Sequence, residues 1–291
     1  MPTHQQSLFQ LHVAVLLFGG TALFAKLIGL SALDITVYRT FIAGLCLFTL
    51  LAITKRPIKL TNAKDYKIAI LLGVLVGIHW VTYFASMQMA GITIGMIAFF
   101  TYPVITVFLE PLINRTRPRL KDIISAMVVV LGIYLLVPEA SLGNQVTFGI
   151  VTGVVSACFF ALRNIIHKKH FAQYSGRQTM MYQTVVASLM LCLFVEVPPM
   201  QVTINDWWLI LLVGVVFTAL PHSLFAASLK NLSATTAGLI SCLQPLYGCV
   251  FAFAILAEQP SLVTLIGGAL VISAAFFETW SVSRKPSSSL T

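Results

Sequence analysis

The chain has 291 residues, 58% of them apolar and only 9% charged, with a formal net charge of +9. A globular protein carries roughly 25% charged residues, so this composition excludes soluble domains and defines an integral membrane protein. The basic residues sit in loops instead of forming a patch, which argues against a nucleic-acid partner.

Apolar runs of about 17 to 22 residues recur along the whole length, and roughly 20 helical residues cross a hydrocarbon core. A β-barrel would show short alternating segments instead. The sequence predicts an all-α membrane protein of ten helices, at about 9–29, 34–54, 68–90, 93–113, 121–138, 148–167, 178–197, 207–229, 233–257 and 261–281. Residues 1–10 carry no Lys or Arg and no A-x-A cleavage site, so the first run is expected to stay as a membrane helix. Residues 282–291, rich in Ser, read as a disordered tail.

Loop charge orients these helices, because Lys and Arg favour cytoplasmic loops. Lys55, Arg56, Lys59, Lys64 and Lys67 follow helix 2, and Arg115, Arg117, Arg119 and Lys121 follow helix 4. Lys168, Lys169 and Arg177 follow helix 6, Lys230 follows helix 8, and Arg284 and Lys285 lie in the tail. Both termini are therefore expected in the cytoplasm, with Asp34, Glu139, Glu196, Asp206 and Glu258 outside.

The chain repeats itself. Ala85, Ser86 and Pro103 recur as Ala227, Ser228 and Pro245 at an offset of 142, and "YRTFIAGLCLF" from Tyr38 lies over "YQTVVASLMLC" from Tyr182 at an offset of 144. Two homologous halves are expected, at 9–138 and 148–281, joined near Gly143–Thr147. With five helices each, they are inverted relative to one another. Inverted repeats place a transport site near the bilayer midplane.

Three stretches carry a family likeness: "VYRTFIAG" with Arg39, "YPVITVFLE" after Phe100, and "LQPLYGCVFAFAILAEQPSLVTLIGGALVISA" from Leu243 to Ala274. On these the chain resembles the drug/metabolite transporter superfamily, in its branch of ten-helix EamA-type exporters. The likeness covers nearly the whole chain. It departs in the first half, where Thr116 stands at the position matching Glu258 and where Glu110–Pro111 is expected to interrupt helix 4. The resemblance implies a central cavity among helices 1–4 and 6–9, with helices 5 and 10 outside. Similar amino-acid exporters have an aromatic cavity with a histidine on helix 3.

Ionisable groups inside a membrane are costly and need a reason. His79, mid-helix 3, has Tyr83 and Ser86 on its face at four and seven residues further on. It is the leading substrate contact and a candidate proton carrier; the bland alternative is a histidine satisfied by a neighbouring helix. Trp80, Tyr83 and Tyr102 supply an aromatic wall or plain packing. His222, Gln244 and Tyr247 are the second-half substrate contacts. Pro103, Pro221 and Pro245 each remove a backbone donor and free the carbonyls of Phe99, Phe217 and Ser241, making hinges or kinks. Lys26, Arg39 and Arg163 are read as charged mouths near helix ends, attracting anions or snorkelling to the interface; Arg39 has Asp34 nearby as a partner. Glu110 and Glu278 are expected at cytoplasmic helix ends, paired to Arg115 and Arg284 or exposed.

Gly73 with Gly77, Gly91 with Gly95, and Gly149 with Gly153 allow close helix approach. Cys46, Cys158, Cys192, Cys242 and Cys249 lie inside apolar runs without a CxxC pair and read as packing residues, not as a disulfide framework or a metal site. No catalytic cluster or phosphate-cradling loop is legible, so neither enzyme activity nor a cofactor is expected.

The reading is a secondary transporter of the bacterial inner membrane. It is expected to export amino acids or related zwitterions by alternating access, with protons as a possible coupling partner, as a monomer or homodimer. Uptake or drug efflux by the same fold is the alternative within transport; an integral membrane enzyme or an accessory membrane protein is the alternative of another class.

Overall fold

A computed structural model describes residues 4–135 and 144–256, with isolated helical positions between 262 and 280. Every regular element among the described residues is helical. In chain order these are α1 His4–Leu27, α2 Ala32–Ile53, α3 Ala63–Ala90, α4 Ile92–Phe99, α5 Tyr102–Asn114 and α6 Leu120–Leu135. Then follow α7 Asn144–His170, α8 Gly176–Leu191, α9 Ile204–Gly214, α10 Leu220–Ser228, α11 Ala234–Ser241 and α12 Gln244–Leu256. Of predicted helix 10 only those isolated positions are described; the tail and the side chains of Glu139, Cys249, Glu258 and Glu278 lie outside the described residues. The join expected at Gly143–Thr147 is already helical from Asn144 on, because α7 starts there.

Five stretches are long and apolar enough to cross a membrane: His4–Leu27, Ala32–Ile53, Ala63–Ala90, Gln145–His170 and Ile204–Ser228. Their ends follow from local chemistry. Ser31, Ser175, Thr203 and Ser233 accept the N–H groups of Asp34, Gln178, Asp206 and Thr236, which caps α2, α8, α9 and α11. Gly91, at φ +86°, ends α3 in a backbone region closed to most side chains.

Proline divides two of the predicted helices and distorts a third. Pro103 and Pro245 stand second in α5 and α12, just after the breaks that separate these from α4 and α11. Pro221 stands second in α10, after a π-helical turn at Val215–Ala219. A proline needs no N–H partner in a first turn, so the helix restarts at Pro103 and Pro245, whereas at Pro221 it runs on through the π turn as the unbroken stretch Ile204–Ser228. Pro111, by contrast, does not interrupt its helix. α5 runs through it to Asn114, and the end is set by Arg115 in the left-handed region at φ 55°. Thr116 N–H donates to the Pro111 carbonyl at 2.8 Å and Arg115 N–H to that of Leu112 at 3.3 Å, a Schellman closure.

The two halves interleave. α3 packs along α7 and α8, α2 along α8, and α1 against α10 and α12. Glycines set the closest approaches. A Cβ on Gly73 would meet Val186 Cβ at 2.5 Å, and one on Gly149 or Gly153 would meet Ala90 Cβ or Ala98 Cβ at 2.5 Å. Gly77 faces Ala187 and Met190, and Gly95 faces the Met87 backbone. Gly91 is the exception to the expected packing role: nothing lies within 4 Å of its missing Cβ. Cys46, Cys158, Cys192 and Cys242 are free thiols.

Candidate functional site

α3 carries the site. His79 is buried, and its Nδ1 lies 2.8 Å from the Ser156 hydroxyl on α7. That hydroxyl donates its proton to the His79 carbonyl at 2.9 Å, so the ring nitrogen is the donor toward it. The imidazole is framed by Phe160 at 4.6 Å, Phe99 at 5.1 Å and Tyr83 at 5.9 Å between ring centroids. Tyr102 continues this wall, 4.9 Å from both Phe99 and Phe160, and its hydroxyl donates to the Gly238 carbonyl at 3.2 Å. Gln244 on α12 reaches the Tyr83 hydroxyl at 3.4 Å.

One residue further along α3 the chain turns to a second cluster. Trp80 meets the edge of His222 with ring centroids 4.9 Å apart, and His222 lies 4.5 Å from Phe18 of α1. Arg39 of α2 places its guanidinium carbon 4.9 Å from the Trp80 ring and 4.5 Å from that of Phe84. Phe18, Phe225 and Phe160 then join this cluster to the His79 wall. The result is one aromatic band with polar groups set into it, the usual make-up of a small-molecule site.

Of the residues expected to contact substrate, His79, Trp80, Tyr83, Tyr102, His222 and Gln244 lie in this band, and Tyr247 is half-buried beside α1, where Gly19 leaves space for it. Of the carbonyls freed by proline, that of Phe217 is taken up by the Thr21 hydroxyl at 3.4 Å. Ser156, Phe160, Thr218 and Gln183 were not singled out by sequence; only Gln183 had a signal, as the repeat equivalent of Arg39.

Two of the three residues expected at charged mouths are buried instead. Lys26 is exposed in the last turn of α1, but Arg39 and Arg163 are 1% and 0% exposed and do not snorkel. Side-chain partners, most of them from other elements, hold both inside. Arg39 Nη1 donates to Thr218 Oγ1 at 3.3 Å. Arg163 is met by Gln183 Oε1 at 2.7 Å, Asn164 Oδ1 at 2.9 Å and Met180 Sδ at 2.9 Å. Asp34 is not spent on Arg39. Its carboxylate accepts the N–H groups of Glu196 at 3.0 Å and Val197 at 3.2 Å, and the Tyr38 hydroxyl donates to the Val197 carbonyl beside them.

Glu110 is likewise neither exposed nor spent on a surface pair. It is buried, and it accepts the N–H groups of Ala234 at 3.0 Å and Thr235 at 2.7 Å, with the Thr235 hydroxyl at 2.5 Å. A cavity of about 380 Å³, lined by His4, Glu110, Arg117, Arg119, Asn231 and Thr235, opens beside this contact. It lies apart from the His79 band.

A band of aromatic and polar side chains thus lies buried among apolar helices, five of the described stretches being long enough to cross a membrane. The EamA-like transporter family profile matches the chain twice, over residues 6–137 and 147–280, and the chain belongs to that family. An uncharacterized transporter of Archaeoglobus fulgidus is 24% identical over 262 residues, covering 90% of this chain and 92% of that protein. The threonine/homoserine exporter RhtA of Escherichia coli K12 is 26% identical over 279 residues, covering 92% and 88%. A solved crystal structure at 15% identity superposes with a TM-score of 0.81 over 97% of this chain and 99% of its own, a likeness of fold.

Proposed function

We propose that this protein exports amino acids or closely related zwitterions across the bacterial inner membrane by alternating access, through a site lined by His79, Trp80, Tyr83, Tyr102, His222, Gln244 and Tyr247. One observation carries the reading. The buried contacts in this band run from one half to the other: hydrogen bonds from His79 to Ser156, Tyr83 to Gln244 and Tyr102 to Gly238, and the ring contact of Trp80 with His222. Side chains that bridge two halves are remade whenever the halves rock, which is where an alternating-access site has to sit. The 26% identity to an exporter named for threonine and homoserine puts amino acids first among substrates.

Cytoplasmic termini and an inverted relation of the halves belong to the same proposal, supported by the loop charges and the offset repeats. The breaks before Pro103 and Pro245, at matching places in the halves, supply hinge points. His79 is the candidate for proton coupling.

Purified protein in liposomes, given radiolabelled threonine, homoserine and a wider amino-acid panel with and without a pH gradient, tests this. Saturable flux is the expected result. Acceleration by the gradient assigns coupling, and indifference to it leaves a uniporter or exchanger. No flux of any amino acid overturns the substrate assignment, and net inward flux overturns the direction.

A further inference from the structure

The two buried arginines look alike in burial and differ in what surrounds them. Arg163 has a protein acceptor on each of its three nitrogens: Gln183, Asn164 and Met180. Arg39 has one, the Thr218 hydroxyl on Nη1; its Nε and Nη2 are buried and meet no acceptor among the described residues. No described carboxylate lies within ion-pairing reach of it, since Asp34 and Glu110 are committed to backbone N–H groups. Two more buried ring nitrogens of the same cluster, Trp80 Nε1 and His222 Nδ1, are also without a partner.

The repeat shows why. At the offset of 144 that joins Tyr38 to Tyr182, Arg39 falls on Gln183 and Arg163 on Gly19. In the second half, guanidinium and amide face one another and satisfy each other. The first half has the guanidinium in the amide's place and a glycine in the guanidinium's. That glycine is filled by Tyr247, whose Cβ lies 2.6 Å from where a Gly19 Cβ would stand. The first half therefore offers no partner to Arg39.

A buried charge without a counter-ion is costly, and the faces of Trp80 and Phe84 offset only part of that cost. We propose that Arg39 is the receptor for the carboxylate of the transported molecule, which takes the free Nε and Nη2 edge in the bidentate manner that a guanidinium fork matches. The unpartnered Trp80 indole N–H and His222 ring nitrogen belong to rings of the same cluster, Trp80 under the guanidinium and His222 against Trp80. Arg163, already saturated, is its structural counterpart and takes no ligand. This assignment rests on the transport reading above and adds the chemical group that the site selects.

The test measures the melting temperature of the purified protein against concentration for threonine, homoserine, threoninamide and inorganic phosphate. The acids are expected to stabilise the wild type at concentrations at least tenfold below the amide. In Arg39→Gln the acids should weaken at least tenfold and become equal to the amide. Arg39→Lys, which keeps the charge and loses the fork, should weaken them at least threefold, and it serves as the test if Arg39→Gln does not fold. Acids that fail to stabilise the wild type, phosphate that matches them, or variants that keep the full preference for acid over amide each overturn the proposal. Liposome flux separates this from the transport reading. Unimpaired threonine flux in Arg39→Gln sinks Arg39 alone, whereas an acid-specific shift without amino-acid flux sinks the export reading and leaves the carboxylate site standing.

Discussion

Glu110 of α5 caps α11 across the two halves: its carboxylate accepts the N–H of Thr235 at 2.7 Å and the Thr235 hydroxyl at 2.5 Å. With Ser233 taking the N–H of Thr236, the first turn of α11 is satisfied by one local and one distant side chain. Negative charge at a helix N-terminus is favourable, and more so when buried. Asp34 makes the corresponding contact elsewhere, from α2 to the backbone at Glu196 and Val197.

Glu110→Ala takes the acceptor from two buried N–H groups and the Thr235 hydroxyl, at about 1–3 kcal/mol for each group left unpaired. Read as a melting temperature, the loss should be clear; Glu110→Gln, which can still accept, should lose less. Equal stability of Glu110→Ala and wild type would show that the contact is incidental.

The same two carboxylates tie the halves together at separate points, so releasing either should bias access. With a cysteine placed at Tyr83 in a background lacking the native cysteines, Glu110→Ala should raise labelling by an impermeant thiol reagent applied from one face of the membrane. Asp34→Ala should raise it from the opposite face. Identical effects from both would remove the idea of two separate closures.

His79 and Ser156 form a single unit, so their variants should resemble each other in transport. His79→Ala and Ser156→Ala are each expected to lower kcat/KM for flux at least tenfold, while His79→Gln, which keeps a donor, should be milder. Unchanged flux in His79→Ala takes that residue out of the site.

Glycine positions predict a contrast in stability. Gly149→Leu and Gly73→Leu drive a side chain into Ala90 and Val186, where even a Cβ stands at 2.5 Å, and overpacking of this kind costs about 1–3 kcal/mol or more. Gly91→Ala meets no neighbour and pays only for its backbone, φ 86° with ψ 156°, a region essentially confined to glycine, about 1–3 kcal/mol. Thermal melts should show Gly149→Leu and Gly73→Leu at least as destabilised as Gly91→Ala.

Much was legible before any fold was known. The low charge and the long apolar runs define the membrane class, and the described helices fall on the predicted runs, because backbone groups in lipid have to be satisfied within the helix. Pro103 and Pro245 mark real breaks and Pro221 a π-helical distortion, since proline lacks the donor that a helix interior needs. His79 and its aromatic neighbours were visible as expensive or bulky residues at mid-helix.

What the sequence by itself determined, then, is the class, the segments and the residues that need an explanation. Only the tertiary structure decided how each is explained. Arg39 and Arg163 read alike as snorkelling cations, yet one is saturated and one is not, because Thr218 and Gln183 approach them from other helices. Glu110 read as a surface group and is a buried cap for a helix more than a hundred residues away. The physical reason lies in the solvent. A membrane helix is apolar toward lipid and toward its neighbours alike, so no amphipathic period marks its inner face; that face is set by the helices that pack against it.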